Sequence, residues 1–380
     1  MMKALHLSPS FYPAHVYGGP IESLYQLCRH LAHNGCKVRV LTTDANGAHR
    51  SLEVEKEREV ELVDGLYVRY CRRLARHSVS PMLVRLLPSY LRWADVVHLT
   101  AVYSFPTIPT LLAARLYGKP VVWSPRGALQ RWRGSSRLRA KAVWEWACRL
   151  TAPGRVILHT TSNEEAKESV ERVRGIEAFV LPNGVEIPEK IRRVDRDGTL
   201  RLAYLGRLHS KKGIENLLAA CHRLSLETHL DWSLTIAGGG ETDYVASLNR
   251  LIGELELSPR AMMIGEVTGE SKTRLFERAD VVVVPSYTEN FGMVVGEALA
   301  HGVPVIASRG TPWRRLEETR SGLWVDNTPD SLAAAIESIG RMSLCEMGVR
   351  GRSWMQREFS WEQRATEMTD IYSRLINGPT

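Results

Sequence analysis

Short apolar runs alternate with amphipathic stretches along most of the chain. KALHLS has the pattern of a strand, FYPAHVYGGP that of a loop, IESLYQLCRHLAHNG that of a helix, and KVRVLT that of a second strand. Ile21, Leu24, Leu27, Cys28 and Leu31 recur at helical spacing, and Gly35 follows as a C-terminal cap. The opening is therefore a βαβ unit. Further apolar runs come at VVHLT (96–100), VVWSP (121–125) and VILHTTS (156–162), the last leading into a helix with Ser162 and Glu165 as its capping box. The charged run EVEKEREVE (53–61) reads as an exposed edge or turn. Over 181–198 Pro, Gly and charged residues displace the periodicity, and this segment reads as an interdomain linker. The alternation then restarts with RLAYLG, a helix from Ile214 to Leu224, SLTIAG, a helix near 243–256, AMMIG, a short helix over 270–278 and VVVVPS. A helix from Met293 to just before Gly302 and the run VPVIAS close the series, and the C-terminal FSWEQRATEMTDIYSRLI has the spacing of an amphipathic helix.

Strands alternating with helices imply parallel sheets covered on both faces. The expected fold class is α/β, with two Rossmann-like, doubly wound parallel-sheet domains in series. They are placed at 1–185 and 198–360, with 361–380 crossing back onto the first. Folds of this kind bind ligands at the carboxyl ends of their strands, so a central cleft faced by both sheets is the expected site.

Composition adds bounds to this picture. A chain of 380 residues with 44% hydrophobic content exceeds what one core usually holds. The six cysteines are scattered without the paired spacings of a zinc site or a disulfide framework, which fits a reducing cytosol. The N-terminus lacks the pattern of a signal peptide, and no apolar run approaches the ~20 residues of a spanning helix. The expected location is cytoplasmic, or peripheral at the inner face of the cytoplasmic membrane. Charge is uneven: residues 1–190 hold 27 Lys+Arg against 17 Asp+Glu, and residues 191–380 hold 23 against 25. An anionic partner of the first half follows, whether membrane, nucleic acid or phosphorylated substrate. Within 126–149 there are seven basic residues, one acid (Glu145) and Trp132, Trp144 and Trp146. That mixture suits an anionic membrane or a lipid-diphosphate acceptor; a solvated helix with inward tryptophans is the competing account.

Candidate chemistry lies mostly where strands pass into helices. The segment Val281–Ser308 is apolar except for a loop and has two acids, Glu289 and Glu297. Amides near Phe291, Gly292 and Met293 at the helix start suit an anion. Arg207 and Lys212 flank another strand-to-helix loop and suit a pyrophosphate. Gly18 and Gly19 precede the first helix and permit close backbone approach. His98 is read as closing the strand DVVH, where it can donate to a substrate hydroxyl. Arg126, in SPRG, follows a strand and is a candidate for an acceptor or donor phosphate. Each of these residues taken alone also fits a solvated or structural role. The sequence contains no Walker A motif and no HExxH, GxSxG or CxxC, and no GxGxxG follows the first strand.

In this order and at this spacing, Gly18-Gly19, His98, Arg207 and Lys212 in a GRL…KG element, and the E-x7-E pair Glu289 and Glu297 around Asn290-Phe291-Gly292 resemble the retaining glycosyltransferases of family 4. The resemblance covers nearly the whole chain. It implies the GT-B fold and a nucleotide-sugar donor, with UDP and GDP sugars foremost and no metal or other cofactor. It further implies that Arg207 and Lys212 neutralise the donor diphosphate, with the Gly18-Gly19 loop close by, and that Glu297 binds the ribose. Glu289 would hold the donor sugar together with Asn290, Phe291, Gly292 and Met293, and His98 would assist the transition state. Val267 would lie against the base. The expected acceptor is a glycan or a lipid-linked glycan of the cell surface, and nucleic acid is not an expected partner. Two other readings are a non-catalytic protein binding anionic membrane or nucleic acid, and an epimerase or phosphorylase of the same fold.

Overall fold

The computed structural model describes residues 1–76, 78–131, 137–195 and 197–378. It divides into two compact units, Met1–Gly184 with Trp361–Thr380, and Val185–Ser360.

The first unit is built on an eight-stranded sheet. Its strands come from β1 (Lys3–Leu7), β2 (Lys37–Thr43), β5 (Glu59–Val63), β6 (Leu66–Cys71), β7 (Val96–Thr100), β8 (Val121–Ser124), β9 (Val156–Thr160) and β10 (Ala178–Val180), while β3 (Ala45–Asn46) and β4 (Arg50–Ser51) form a separate small pair. The order across the sheet is β10-β9-β8-β7-β1-β2-β6-β5. Only β5, the end of the charged run, pairs antiparallel, and it sits at the edge. Five helices connect these strands: α1 (Gly19–His33), α2 (Pro81–Trp93), α3 (Thr107–Leu116), α4 (Leu138–Thr151) and α5 (Asn163–Arg172). α1 buries Ile21, Leu24, Leu27, Cys28 and Leu31, the stripe that its periodicity predicts. The α5 cap is half a capping box: Ser162 Oγ accepts from the Glu165 amide at 3.1 Å, whereas the Glu165 carboxylate accepts from the Thr161 amide and hydroxyl and from the Gly127 amide.

The second unit carries six parallel strands: β11 (Leu200–Leu205), β12 (Trp232–Ala237), β13 (Ala261–Gly265), β14 (Val281–Val284), β15 (Val305–Ser308) and β16 (Gly322–Val325). Their order is β13-β12-β11-β14-β15-β16. Between and after them come α6 (Ile214–Glu227), α7 (Thr242–Glu254), α8 (Gly269–Arg278), α9 (Met293–Ala300), α10 (Arg315–Glu318), α11 (Pro329–Gly340) and α12 (Leu344–Glu358). Alternate strand residues feed two cores. Leu202, Tyr204, Leu234, Ile236, Val281 and Val283 enter one, with α6 and α11; Ala203, Ala237, Val282, Val284, Val305 and Ala307 enter the other, with α9 and α12. That double burial is why β14 can read VVVV without a polar alternate. The last helix, α13 (Trp361–Asn377), belongs to the first unit and packs on α1. Among the described residues no helix is long and apolar enough to cross a membrane.

Candidate active site

In the second unit the chain builds outward from β11 through β12 and β13, then returns to pair β14 on the other side of β11. The loops leaving β11 and β14 consequently depart in opposite directions and open a crevice at their carboxyl ends, the usual ligand position in a doubly wound sheet. The loop after β11 brings Arg207, Lys211 and Lys212; the loop after β14 brings Ser286, Glu289 and Gly292. The Tyr287 amide donates to the Lys211 carbonyl at 2.9 Å, and the Glu289 amide donates to the Gly310 carbonyl at 2.8 Å, which ties the two loops to each other and to the turn after β15. Gly213 is required at this junction. Its φ is +62°, and a Cβ there would lie 2.2 Å from the Pro285 carbonyl oxygen. Gly238, after β12, is similarly confined, since its Cβ would fall 1.8 Å from the Gly206 carbonyl oxygen.

Lys212 Nζ forms an ion pair with Glu289 Oε1, and Ser286 Oγ donates to the same oxygen at 2.6 Å. Burial alone would raise the Glu289 carboxyl. The Lys212 charge, hydrogen bonds from Lys212 and Ser286, and the nearby Lys211 outweigh it and hold the group below the usual carboxylate range. Burial pulls Lys211 downward, with Glu289 opposing and the Lys212 and Arg207 charges adding to the fall. The Arg207 side chain is exposed and has no hydrogen-bond or ion-pair partner among the described residues. The Glu289 carboxylate thus faces two lysines, with Arg207 exposed on the same loop as the lysines.

α9 starts at Met293 with Gly292 (φ +77°) as its cap and no side-chain cap. The Phe291 ring is in the core, 5.0 Å from the Trp313 ring between centroids, and Trp313 Nε1 donates to the Phe291 carbonyl. Trp313 therefore fixes the entry to α9. Asn290 lies in the same loop. Glu297, further along α9, pairs with Lys272 Nζ of α8 at 2.6 Å. Val267 lies in the loop between β13 and α8, partly buried against the core. The segment that carries Asp195 and Asp197, an Asp-x-Asp triplet, is the linker before β11, where Asp197 Oδ1 accepts from the Thr199 amide at 3.2 Å; it supplies none of the switch-point loops.

The candidates of the first unit are arranged differently. Gly18 (φ +71°) precedes α1 and Pro20 occupies its first turn. His98 does not close its strand: it is central in β7, opposite His6 of β1 and Val122 of β8, and is fully buried. Strand alternation puts His6, His98 and Ser124 on one face, where Tyr372 of α13 reaches them. His159 Nε2 lies 2.9 Å from the Leu181 carbonyl and so must donate, which makes His159 Nδ1 the acceptor from Ser124 Oγ at 2.8 Å. His98 Nε2 must then donate to Ser124 Oγ at 2.7 Å, and His98 Nδ1 accepts from the Tyr372 hydroxyl. Tyr372 in turn accepts from His6 Nε2 at 3.2 Å. The direction of every bond is set by one carbonyl. All three histidines are neutral, because burial lowers them, helped by Arg126 and, for His98, first by its His neighbours; His6 and His159 fall to about 3. With both ring nitrogens engaged inside the core, His98 offers no free atom to a ligand.

Arg126 follows β8 with φ +54°. Its Nη1 donates to Asn183 Oδ1, and its Nε and Nη2 are buried without partners. The cation is thus held beside the histidine chain with donors unused.

The structure brings together Lys212, Glu289 and Gly292, and separately Glu297 and Lys272. Lys272, Ser286, Lys211 and Trp313 escaped sequence reasoning. A lysine on a charged helix or a serine ending a strand carries no signal of its own; only the E-x7-E pair marked where to look for partners.

Two α/β units of this topology, with the Lys212–Glu289 pair in the crevice at the switch point of the second, have the architecture of the GT-B glycosyltransferases. The Glycosyltransferase Family 4 model matches residues 17–188 and the Glycosyl transferases group 1 model matches 187–346. The chain belongs to this glycosyltransferase family and is an enzyme. A GDP-mannose:cellobiosyl-diphosphopolyprenol alpha-mannosyltransferase of Xanthomonas campestris is 27% identical over 100% of this chain and 98% of that one. An uncharacterised glycosyltransferase of Methanocaldococcus jannaschii is 33% identical, over 47% of this chain and 45% of its own length. Among solved structures, HepE of Anabaena in complex with UDP-glucose aligns with a TM-score of 0.74 at 17% identity, covering 98% of this chain and 100% of that one.

Proposed function

We propose that this protein is a retaining glycosyltransferase that moves a sugar from a UDP or GDP sugar onto a lipid-linked or polysaccharide acceptor in cell-surface glycan synthesis, at the cytoplasmic side of the membrane. The observation that carries the reading is the Lys212–Glu289 pair at the switch point, with Lys211 and an unpartnered Arg207 beside it. The bond that breaks releases a nucleoside diphosphate, so negative charge grows on the leaving group. Arg207 and Lys212 meet that charge, together with the amides at Gly292 and Met293 at the start of α9. Fixed cations and amides need little reorganisation as the charge develops, and the reading requires no metal. Glu289, kept ionised, holds a donor-sugar hydroxyl and opposes the positive charge that forms on the sugar ring. Glu297 takes the ribose hydroxyls, Val267 lies by the base, and Asn290 and Phe291 shape the sugar pocket. Arg126, with two donors unused, is the candidate for an acceptor phosphate. His98 contributes by position only, through Ser124. The names of the relatives support this choice: GDP-mannose and a diphosphopolyprenol acceptor in one, UDP-glucose in the other.

A thermal-shift screen against UDP, GDP, ADP and dTDP sugars tests the reading. A ligand that binds the native state raises the melting temperature. The expected result is a rise with a UDP or GDP sugar that is lost in Arg207→Ala; no rise with any nucleotide sugar would overturn the proposal.

A further inference from the structure

α2, α3 and α4 cover one face of the first sheet, packed in sequence against one another. Their sequences contain one acid, Glu145, against Arg85, Arg92, Arg115, Arg139, Lys141 and Arg149. Glu145 is buried and is neutralised by Arg131, with the Tyr103 hydroxyl donating to it. The solvent side of these helices therefore carries cations and no anion. It also carries apolar groups that soluble surfaces seldom gather. On α4, Val143, Trp146 and Leu150 follow at i, i+3 and i+7 and share one stripe, and they are exposed by 66%, 61% and 51%. Arg139 lies one turn before Val143 on the same stripe, and Arg149 borders it. On α3, Leu112 and Leu116 share a face at i and i+4, also exposed. The two stripes are joined where Arg115 Nη1 donates to the Leu150 carbonyl at 2.6 Å. Trp144 takes no part, since its Nε1 donates inward to the Val102 carbonyl at 2.7 Å; Trp132 lies outside the described residues.

We infer that the α3–α4 face of the first unit is a membrane-docking surface for a bilayer rich in anionic lipid. Trp146, Val143, Leu150 and Leu116 would enter the boundary between headgroups and acyl chains, and Arg139, Arg149 and Arg115 would meet lipid phosphates. Burial of the apolar stripe gives attachment, and the cations select the leaflet charge. A protein partner would more often match such a rim with charges of both signs, whereas this face presents one sign alone. The inference is independent of the donor site, which lies in the other unit.

The full chain is sedimented with vesicles of phosphatidylcholine alone and of phosphatidylcholine mixed with phosphatidylglycerol. The expected result is binding to the mixed vesicles that weakens with salt. It should fall more than about tenfold in Val143→Ser/Trp146→Ser/Leu150→Ser and in Arg139→Glu/Arg149→Glu, while the melting temperature and its rise with nucleotide sugar stay as in wild type. In the unmodified protein brominated lipid should quench tryptophan emission, and Trp146→Phe should reduce that quenching. Failure to bind the mixed vesicles overturns the inference, as does equal binding by both variants. A wild-type dimer that the apolar variant dissolves, with vesicle binding unchanged, would assign the face to a second copy of the chain instead.

Discussion

The two units treat their polar groups in opposite ways. In the first, His6, His98, His159, Ser124 and Tyr372 are neutral and pass hydrogen bonds in one direction across the sheet, ending on the Leu181 carbonyl. In the second, Glu289 stays charged because lysines stand beside it, and Glu297 is paired with Lys272. A neutral chain has nothing to gain from an arriving anion; it orders the core and fixes the end of β8, after which Arg126 follows. A lysine held by a carboxylate at the mouth of a crevice can change partners. A diphosphate competing for Lys212 would leave Glu289 free to engage the sugar. Depth thus separates polar groups that hold the fold from polar groups that exchange with a ligand.

The largest effect expected from this contrast is at Glu289. Glu289→Gln removes the charge but keeps the shape and the bond from Ser286. Turnover should drop about a thousandfold, the size typical for loss of one aimed electrostatic contact, with the melting temperature close to wild type. Steady-state kinetics with whichever donor shifts the melting curve measures this. Unimpaired turnover would remove Glu289 from the mechanism. His98→Ala should do the reverse. It strands the Tyr372 proton and the Ser124 oxygen and leaves a cavity, a loss of about 3 kcal/mol or more in unfolding free energy. Well below its melting point it should retain turnover within about tenfold of wild type. A collapse of turnover with unchanged stability would put His98 back into the chemistry.

That pair of variants also marks where sequence reading succeeds. Lys212 and Glu289 are 77 residues apart, yet both sit at strand-to-helix loops, and the fold class alone brings such loops to one edge. The order β13-β12-β11-β14-β15-β16 then makes the loops after β11 and β14 neighbours. Apolar runs and Gly-bounded helices carry that much. His98 was misplaced because a polar residue late in an apolar run looks like its end; the groups that allow it into the middle, Ser124 and Tyr372, lie 26 and 274 residues away. Burial of a polar side chain depends on partners, and no local pattern announces them. The α4 tryptophans show the same limit. Helical spacing divides Trp144 from Trp146, but which faces inward depends on what packs there.

The neutral chain makes a prediction in pH. The histidine pKa values are depressed in the folded state, so below about 6.5 the unfolded chain binds more protons than the folded one, and stability is lost as pH falls toward about 3. Each histidine contributes a slope of up to about 1.4 kcal/mol per pH unit across that window. His159→Gln keeps an amide donor for Leu181 and removes one titrating group. Denaturant unfolding at pH 6 and 5 should show a shallower fall in the variant, by close to one proton. An identical slope in the two proteins would mean that the histidines are not held neutral by the fold.

The smallest expected effect lies inside the second unit and separates its two acids. Lys272→Gln should remove the ion-pair partner of Glu297, whose side chain is 16% exposed and keeps its place on α9. If Glu297 serves the ribose and Glu289 the reacting sugar, the variant weakens donor binding equally in ground and transition states. KM for the donor should rise about fivefold with kcat nearly unchanged. A fall in kcat comparable to that of Glu289→Gln would mean that the Lys272–Glu297 pair feels the bond that breaks, and the division of labour between the two carboxylates would have to be redrawn.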